Sequence, residues 1–169
     1  MSERMVEARY GDASRTPIRS ALSRLAADRL VHQVDGGWAV TPLSVTEILQ
    51  AGDFRVGIER EGIRLVCERA SGTDLDHVAE HLIPQSPDVD RSEWLRTSWQ
   101  FHVELVRLSG NDLYVEAMAD VMQRLARVRW LEISDLTGRM RTIVEHREIL
   151  NHIRQRDVVA AQAAVTAHA

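Results

Sequence analysis

The sequence predicts a mainly α-helical protein, and three observations support this prediction. The 169 residues include only 9 Gly and 4 Pro, whereas Ala, Leu, Arg and Glu, which favour helices over a turn-rich β-sandwich, are abundant. Apolar residues recur three or four positions apart through most of the chain, as they do on the buried face of an amphipathic helix. A hydrophobic fraction of 44% is sufficient for a core and argues against disorder.

The first 43 residues predict a short helix, a longer helix and a β-hairpin. Residues 2–10 are weakly helical, and a turn at residues 11–13 precedes a second helix predicted over residues 15–29, with Ser14 as its N-cap. The apolar face of this helix consists of Ile18, Ala21, Leu22 and Leu25. Two strand-like runs, residues 31–33 and 38–40, flank the turn sequence Asp35-Gly36-Gly37. Helix, turn, helix and hairpin is the order of a winged helix-turn-helix.

Residues 44–169 predict an all-helical antiparallel bundle, so that the chain has two expected domains, 1–43 and 44–169. A capping box from Ser44 to Glu47 opens a helix that extends to about Ala70. Its expected buried stripe consists of Ile48, Ala51, Phe54, Ile58 and Leu65. Further helices are predicted over residues 73–82, 91–108, 112–134, 139–154 and 157–169, separated by Gly, Asn and Asp residues.

Composition also limits the class of protein. No apolar run approaches the roughly 20 residues that cross a bilayer, and the N-terminus is polar, so we expect a cytoplasmic protein without a membrane partner. The single cysteine, Cys67, excludes an internal disulfide and a multi-thiolate zinc site, and its helical setting predicts a small core or boundary residue. Any metal ion must therefore be bound by histidine and carboxylate side chains.

Two groups of motifs carry a family resemblance. The segment Ser14-Arg15-Thr16-Pro17-Ile18-Arg19-Ser20-Ala21-Leu22 resembles the recognition-helix signature of GntR-family bacterial transcription regulators. Downstream landmarks resemble those of the helical FCD domain of the FadR subfamily; they are Arg55-Val56-Gly57-Ile58-Glu59, Phe101-His102, Ser109-Gly110-Asn111, Glu145-His146-Arg147 and His168. The resemblance covers nearly the whole chain and implies a partial winged helix-turn-helix followed by an FCD-like bundle, in a regulator rather than an enzyme.

The predicted recognition helix carries the candidate DNA-binding residues. Arg15 and Arg19 lie four positions apart at its start, opposite the apolar face, so both guanidinium groups can enter a DNA groove and bind guanine. The resemblance adds Arg4, Thr16 and the wing tip at Gly36. The first helix of the family pattern is missing from this sequence, so we expect either a start upstream of Met1 or an impaired DNA-binding module.

Three histidines form the candidate metal site. His102, His146 and His168 each lie on the apolar stripe of a different predicted helix. One inward-facing histidine is usually a core residue, but three that converge in a helical bundle make a divalent metal site plausible, and the resemblance implies that they are ligands. The family pattern places an Asp four residues before His102, where this chain has Ser98, so metal affinity should fall or water should replace the carboxylate. Three nitrogen ligands favour zinc or nickel.

The resemblance also implies that a small carboxylate effector binds over the metal, with Arg55, Ser98 and Asn111 as the candidate effector-binding residues. Two of these have a structural alternative. Arg55 could instead form a salt bridge with Glu59, and Asn111 could cap the helix that follows it. Another pair of histidines, His77 and His81, is expected on a solvated face.

These observations predict a ligand-responsive regulator that binds operator DNA as a homodimer, because a single winged module offers few contacts. Its helical domain would dimerise and sense a small organic acid. One alternative is a dimerising metabolite- or metal-binding remnant without DNA binding. A less favoured one is a three-histidine metallohydrolase, which lacks the support of an HExxH helix or an evident general base.

Overall fold

The computed structural model describes residues 3–10, 15–132 and 135–169, and the chain forms two compact units, Met1–Val45 and Thr46–Ala169. Both units follow the predicted order of elements, and the chain is mainly α-helical with one small hairpin. The predicted turn at residues 11–13 and the N-cap Ser14 lie outside the described residues. No helix in the described ranges has the length and apolar character of a membrane span.

The first unit has the elements of a small winged module. Its helices are α1 (Glu3–Tyr10) and α2 (Arg15–Ala27), and its strands are β1 (Val31–Val34) and β2 (Gly37–Val40). The strands are antiparallel, with Val31 opposite Val40, and Gly36 takes a left-handed φ of 80° in the turn between them. This conformation suits glycine because it has no Cβ. The small core of the unit consists of Ile18, Leu22, Val31 and Trp38.

Two predictions about α2 are wrong. The helix ends at Ala27 rather than Arg29, because Arg29 has a left-handed φ of 58°. The N–H groups of Arg29 and Leu30 bond back to the carbonyls of Ala26 and Leu25, which closes the helix in a Schellman motif. Half of its expected apolar face is at the surface, because Ala21 is exposed and Leu25 is 38% exposed.

The second unit is a bundle in which two helices contribute to both of its apolar cores. The helices are α3 (Val45–Arg69), α4 (Gly72–Leu82), α5 (Arg91–Arg107), α6 (Asp112–Glu132), α7 (Leu136–Arg154) and α8 (Val158–His168). One core joins α3, α4, α5, α7 and α8 around Trp94, Phe101 and Ile149, and it includes the buried Cys67. The other joins α3, α5 and α6 around Val106 and Met118. Because α5 lines both cores, its buried polar residues lie deep inside the unit.

The structure corrects two details of this bundle. Helix α7 begins at Leu136 rather than Arg139, since the Asp135 carboxylate accepts the N–H groups of Thr137 and Gly138 and so caps the helix earlier. Phe54, expected in the buried stripe of α3, is 56% exposed, whereas the neighbouring Arg55 is 2% exposed. The buried face of α3 therefore includes a charged residue.

Two glycines of α3 provide a matched test of the packing between α3 and α5. A Cβ at Gly62 would lie 3.2 Å from a methyl carbon of the buried Val106, whereas a Cβ at Gly57 meets nothing within 4 Å. We expect Gly57→Ala to stabilise the protein by about 0.5–1 kcal/mol, because alanine is the better helix former. Gly62→Ala should be less stable than Gly57→Ala by about 1–3 kcal/mol, because the β-branched Val106 must move. Urea unfolding measures the free energy of unfolding of each variant. Equal values for the two variants would contradict this packing of α3 against α5.

Candidate metal centre

Three helices bring His102, His146 and His168 together inside the second unit. The Nε2 atom of His168 lies 3.2 Å from Nε2 of His146 and 3.3 Å from Nε2 of His102. His102 and His146 are at most 1% exposed, and the His168 side chain is 4% exposed. Within the described parts of the chain, these three are the one group of His, Cys, Asp and Glu side chains close enough to share a metal ion.

Two carboxylates orient two of the imidazoles. The Nδ1 atom of His102 lies 2.5 Å from Glu59 Oε1, and Nδ1 of His168 lies 2.7 Å from Glu145 Oε2. A carboxylate accepts a hydrogen bond, so each Nδ1 carries the proton and each Nε2 is left unprotonated. The third ring, His146, stacks on Phe101 with centroids 3.8 Å apart and an interplanar angle of 7°. The Nε2 atoms of the three rings therefore converge, and those of His102 and His168 are unprotonated.

This donor set fits a divalent metal ion. Zinc binds histidine nitrogen at 2.0–2.1 Å in tetrahedral geometry, which places two ligand nitrogens about 3.3 Å apart. The two measured Nε2 to Nε2 distances, 3.2 and 3.3 Å, agree with that separation. Carboxylates on the far nitrogen of ligating histidines are also usual at such sites. The residues present thus fit a zinc or nickel ion.

Burial keeps the histidines uncharged. Desolvation, with the neighbouring Arg55 as the next cause, holds the pKa of His102 well below its ordinary value. Desolvation and the other two imidazoles do the same to the pKa of His146. The pKa of His168 falls to about 3, again chiefly through burial. Neutral imidazole is the form that binds a metal ion, so these shifts prepare the site for one.

Arg55 forms the salt bridge that the sequence left open and also lies at the histidine cluster. Its Nε donates to Glu59 Oε2 at 3.2 Å, which is the salt bridge, and its Nη2 lies 3.2 Å from Nε2 of His102, which places the guanidinium at the histidine cluster. Glu59 is fully buried between the two and contacts both. The two alternatives for Arg55 are therefore compatible.

Sequence reasoning missed Arg129 altogether, and it singled out Phe101 and Glu145 only as landmarks of the family, without a role in the site. Arg129 Nη2 donates to Ser98 Oγ at 2.7 Å. A signal for Arg129 was present, since it continues the three- and four-residue spacing of a buried apolar stripe on α6. The other members of this stripe are Val115, Met118, Met122 and Leu125. The side chain of Glu145 is 30% exposed and contacts His168.

The remaining candidate effector residues lie in different settings. Ser98 is 1% exposed and lies one turn before His102 on α5, on the same helical face. Asn111 makes the contacts of a helix cap, because its Oδ1 accepts the N–H of Leu113 at 3.1 Å and its own N–H donates to Ser109 Oγ. His77 and His81 are exposed and stack on each other.

The candidate DNA-binding residues belong to the first unit. Thr16 and Arg19 are exposed on α2, whereas Ile18 and Leu22 are buried. Gly36 is exposed at the tip of the hairpin. The side chains of Arg4 and Arg15 lie outside the described residues.

Lowering the pH should destabilise the metal-free protein. His168 has a pKa of about 3 in the folded chain against an ordinary value of 6.5, so the unfolded chain binds more protons between these values. Its contribution to stability is complete above pH 6.5 and is lost as the pH falls towards 3. Urea unfolding in EDTA at about pH 7.5 and about pH 5.5 should show the loss. His168→Gln should reduce the difference between the free energies of unfolding at the two pH values. The exposed control His81→Gln should leave that difference unchanged. Equal pH dependence in the two variants would contradict the burial of an uncharged His168.

Comparison with known proteins identifies the family. Residues 48–169 match the FCD domain family. The Nta operon transcriptional regulator of Aminobacter aminovorans is 27% identical over 158 residues, which cover 92% of this chain and 74% of the relative. The HTH-type transcriptional regulator YdhC of Bacillus subtilis is also 27% identical, over 92% of this chain and 71% of its own.

Solved structures show the same fold. A GntR transcriptional regulator from Rhodococcus sp. RHA1 superposes with a TM-score of 0.81 at 19% identity, and E. coli McbR/YncC with 0.79 at 16% identity. Each comparison covers 99% of this chain and 82% of the other. These relatives are transcriptional regulators and not enzymes, in agreement with the sequence. The chain therefore belongs to the GntR family of transcriptional regulators that contain an FCD domain.

Proposed function

We propose that this regulator, as a member of the FadR subfamily, senses a small organic acid at a metal ion held by His102, His146 and His168. The observation that carries the proposal is the convergence of the Nε2 atoms of three neutral imidazoles, with separations of 3.2 and 3.3 Å, inside the bundle. Bound there, zinc or nickel would supply a positively charged Lewis-acid centre for a carboxylate oxygen.

The protein's own residues provide orientation and charge around that centre. Glu59 and Glu145 hold two imidazoles by their Nδ1 atoms, which leaves the Nε2 lone pairs directed inward. Arg55 is buried and lies against His102, where its guanidinium can donate to a bound carboxylate. Exclusion of water by the surrounding core strengthens each of these charge interactions.

Binding in this pocket can bias the arrangement of the bundle. The site joins α5, α7 and α8 through the histidines, and α3 through Arg55 and Glu59. A ligand that binds differently to two arrangements of these helices shifts the equilibrium between them. We propose that the predicted domain of residues 44–169 dimerises and transmits this shift to the predicted DNA-binding domain of residues 1–43. That domain would read a palindromic operator through α2 and the hairpin wing.

The metal part of this proposal is tested by metal content. After dialysis against zinc in acetate buffer, protein purified without a polyhistidine tag should retain one zinc ion per chain, measured by elemental analysis. His102→Ala should lose this zinc, because it removes one of three ligands. The exposed control His77→Ala should retain it. Equal zinc content in His102→Ala and the parent would refute the proposed site.

The DNA part is tested by substitutions at the start of α2. Arg15→Ala and Arg19→Ala should each weaken binding to an operator selected from a random duplex library by about 1–3 kcal/mol, as expected for loss of an arginine–guanine contact. Arg24→Ala, an exposed residue in the last turn of the same helix, is the control. Fluorescence titration measures the affinities. Unchanged affinity in both test variants would rule out this recognition helix, and absence of any selected operator would favour the alternative without DNA binding.

A further inference from the structure

We propose that metal and carboxylate bind to this chain interdependently, because Ser98 leaves the ligand set uncharged and directs Arg129 towards the place where a carboxylate is needed. This inference rests on the proposed metal site and adds two things to it: a role for Arg129 as a ligand-binding residue and a coupling between the two ligands. Both follow from the contacts of Ser98.

The side chains that would surround the metal carry no negative charge of their own. Three neutral imidazoles converge, and the side chain one turn before His102 on the same face is the hydroxyl of Ser98, which is 1% exposed. The nearby carboxylates of Glu59 and Glu145 lie on the Nδ1 sides of the rings, away from the Nε2 atoms. A divalent ion would therefore bring two positive charges into a buried site without an anionic ligand to balance them.

Two guanidinium groups add positive charge around the site, although the carboxylate of Glu59 offsets part of the charge of Arg55. Arg55 Nη2 lies 3.2 Å from His102 Nε2, and Arg129 Nη2 lies 2.7 Å from Ser98 Oγ. Both arginines act on all three imidazoles, since each is among the charges that lower the pKa of His102, His146 and His168. Positive charges in a site with little water repel one another more strongly than they do in solvent.

A ligand carboxylate removes this repulsion. One of its oxygens can bind the metal while the other accepts a hydrogen bond from Arg129, and charge-assisted bonds of this kind are among the strongest in proteins. Ser98 assists because its oxygen accepts a hydrogen bond from Arg129 and so fixes the guanidinium beside the site. The ligand thus provides the negative charge that residue 98 does not.

Interdependence makes the site a sensor of two signals. If the carboxylate tightens metal binding, then the metal must tighten carboxylate binding by the same factor, because coupling between two ligands is reciprocal. Such a protein reaches its ligand-bound arrangement only when both the metal and the acid are present. A site with a built-in acidic ligand would instead hold its metal whether or not the acid is there.

The direct test is calorimetric titration of zinc into protein stripped with a chelator. Titrations in sodium acetate and in sodium chloride at the same ionic strength, corrected for zinc acetate in solution, give two dissociation constants for the parent. We expect acetate to lower the zinc dissociation constant by about 5- to 150-fold, the usual range for coupled sites. Ser98→Asp should bind zinc more tightly than the parent in chloride and should lose the response to acetate, since it carries its own carboxylate.

Arg129 is tested by a graded pair of substitutions. Arg129→Met should reduce the effect of acetate, and Arg129→Lys, which keeps the charge, should restore part of it. Arg124→Met is the control, because Arg124 lies on the same helix and is paired with Asp120 at the surface. Circular dichroism confirms that each variant is folded.

Zinc should also raise the melting temperature of Ser98→Asp more than that of the parent, because a ligand of the native state stabilises it by mass action.

The outcomes separate this inference from the proposed function. Zinc binding that requires His102 but has the same dissociation constant in chloride and acetate would overturn the coupling and leave the metal site intact. A full acetate effect in Arg129→Met would overturn the role of Arg129. Failure of both the parent and Ser98→Asp to bind zinc through His102 in any buffer would overturn the metal site and this inference together.

Discussion

The burial of three uncharged imidazoles, two of them held by carboxylates, is the constraint on which the helical unit depends. Polar groups are costly to bury unless each has a partner, and here the partners come from different helices. Helix α5 supplies His102, α7 supplies His146 and Glu145, α8 supplies His168, and α3 supplies Glu59. The positions of four helices are therefore tied to one polar cluster, and the apolar cores on either side of α5 exclude water from it.

Apolar spacing predicted most of the fold and part of the site. A histidine at a three- or four-residue step along an apolar stripe must face inward, so the inward direction of His102, His146 and His168 followed from the sequence. On α3 the same spacing rule predicts a buried Phe54, because Phe54 is apolar and lies three residues after Ala51. Arg55 lies four residues after Ala51 and fits the spacing equally well. A charged residue takes such a buried position only when a partner neutralises it, and the partner here, Glu59, lies one turn away.

Other parts of the site depended on contacts that spacing does not reveal. Arg129 and Ser98 are 31 positions apart, and Glu145 and His168 are 23 apart, so each pair forms only when the helices pack. Helix ends were missed for local reasons: Arg29 adopts a conformation usual for glycine, and Asp135 caps α7 earlier than the glycine at 138 suggested. The described structure thus adds the charged partners to a site whose histidines the sequence had already placed on the correct faces.

The central claim is that the three histidines hold one metal ion through their Nε2 atoms. The most direct measurement is an anomalous difference map from a crystal of the zinc-loaded protein, collected on either side of the zinc absorption edge. The account predicts a single strong peak inside the helical unit, about 2.0–2.1 Å from Nε2 of His102, His146 and His168. A peak bound elsewhere, such as at the exposed His77 and His81, with no peak between the three buried imidazoles, would contradict it.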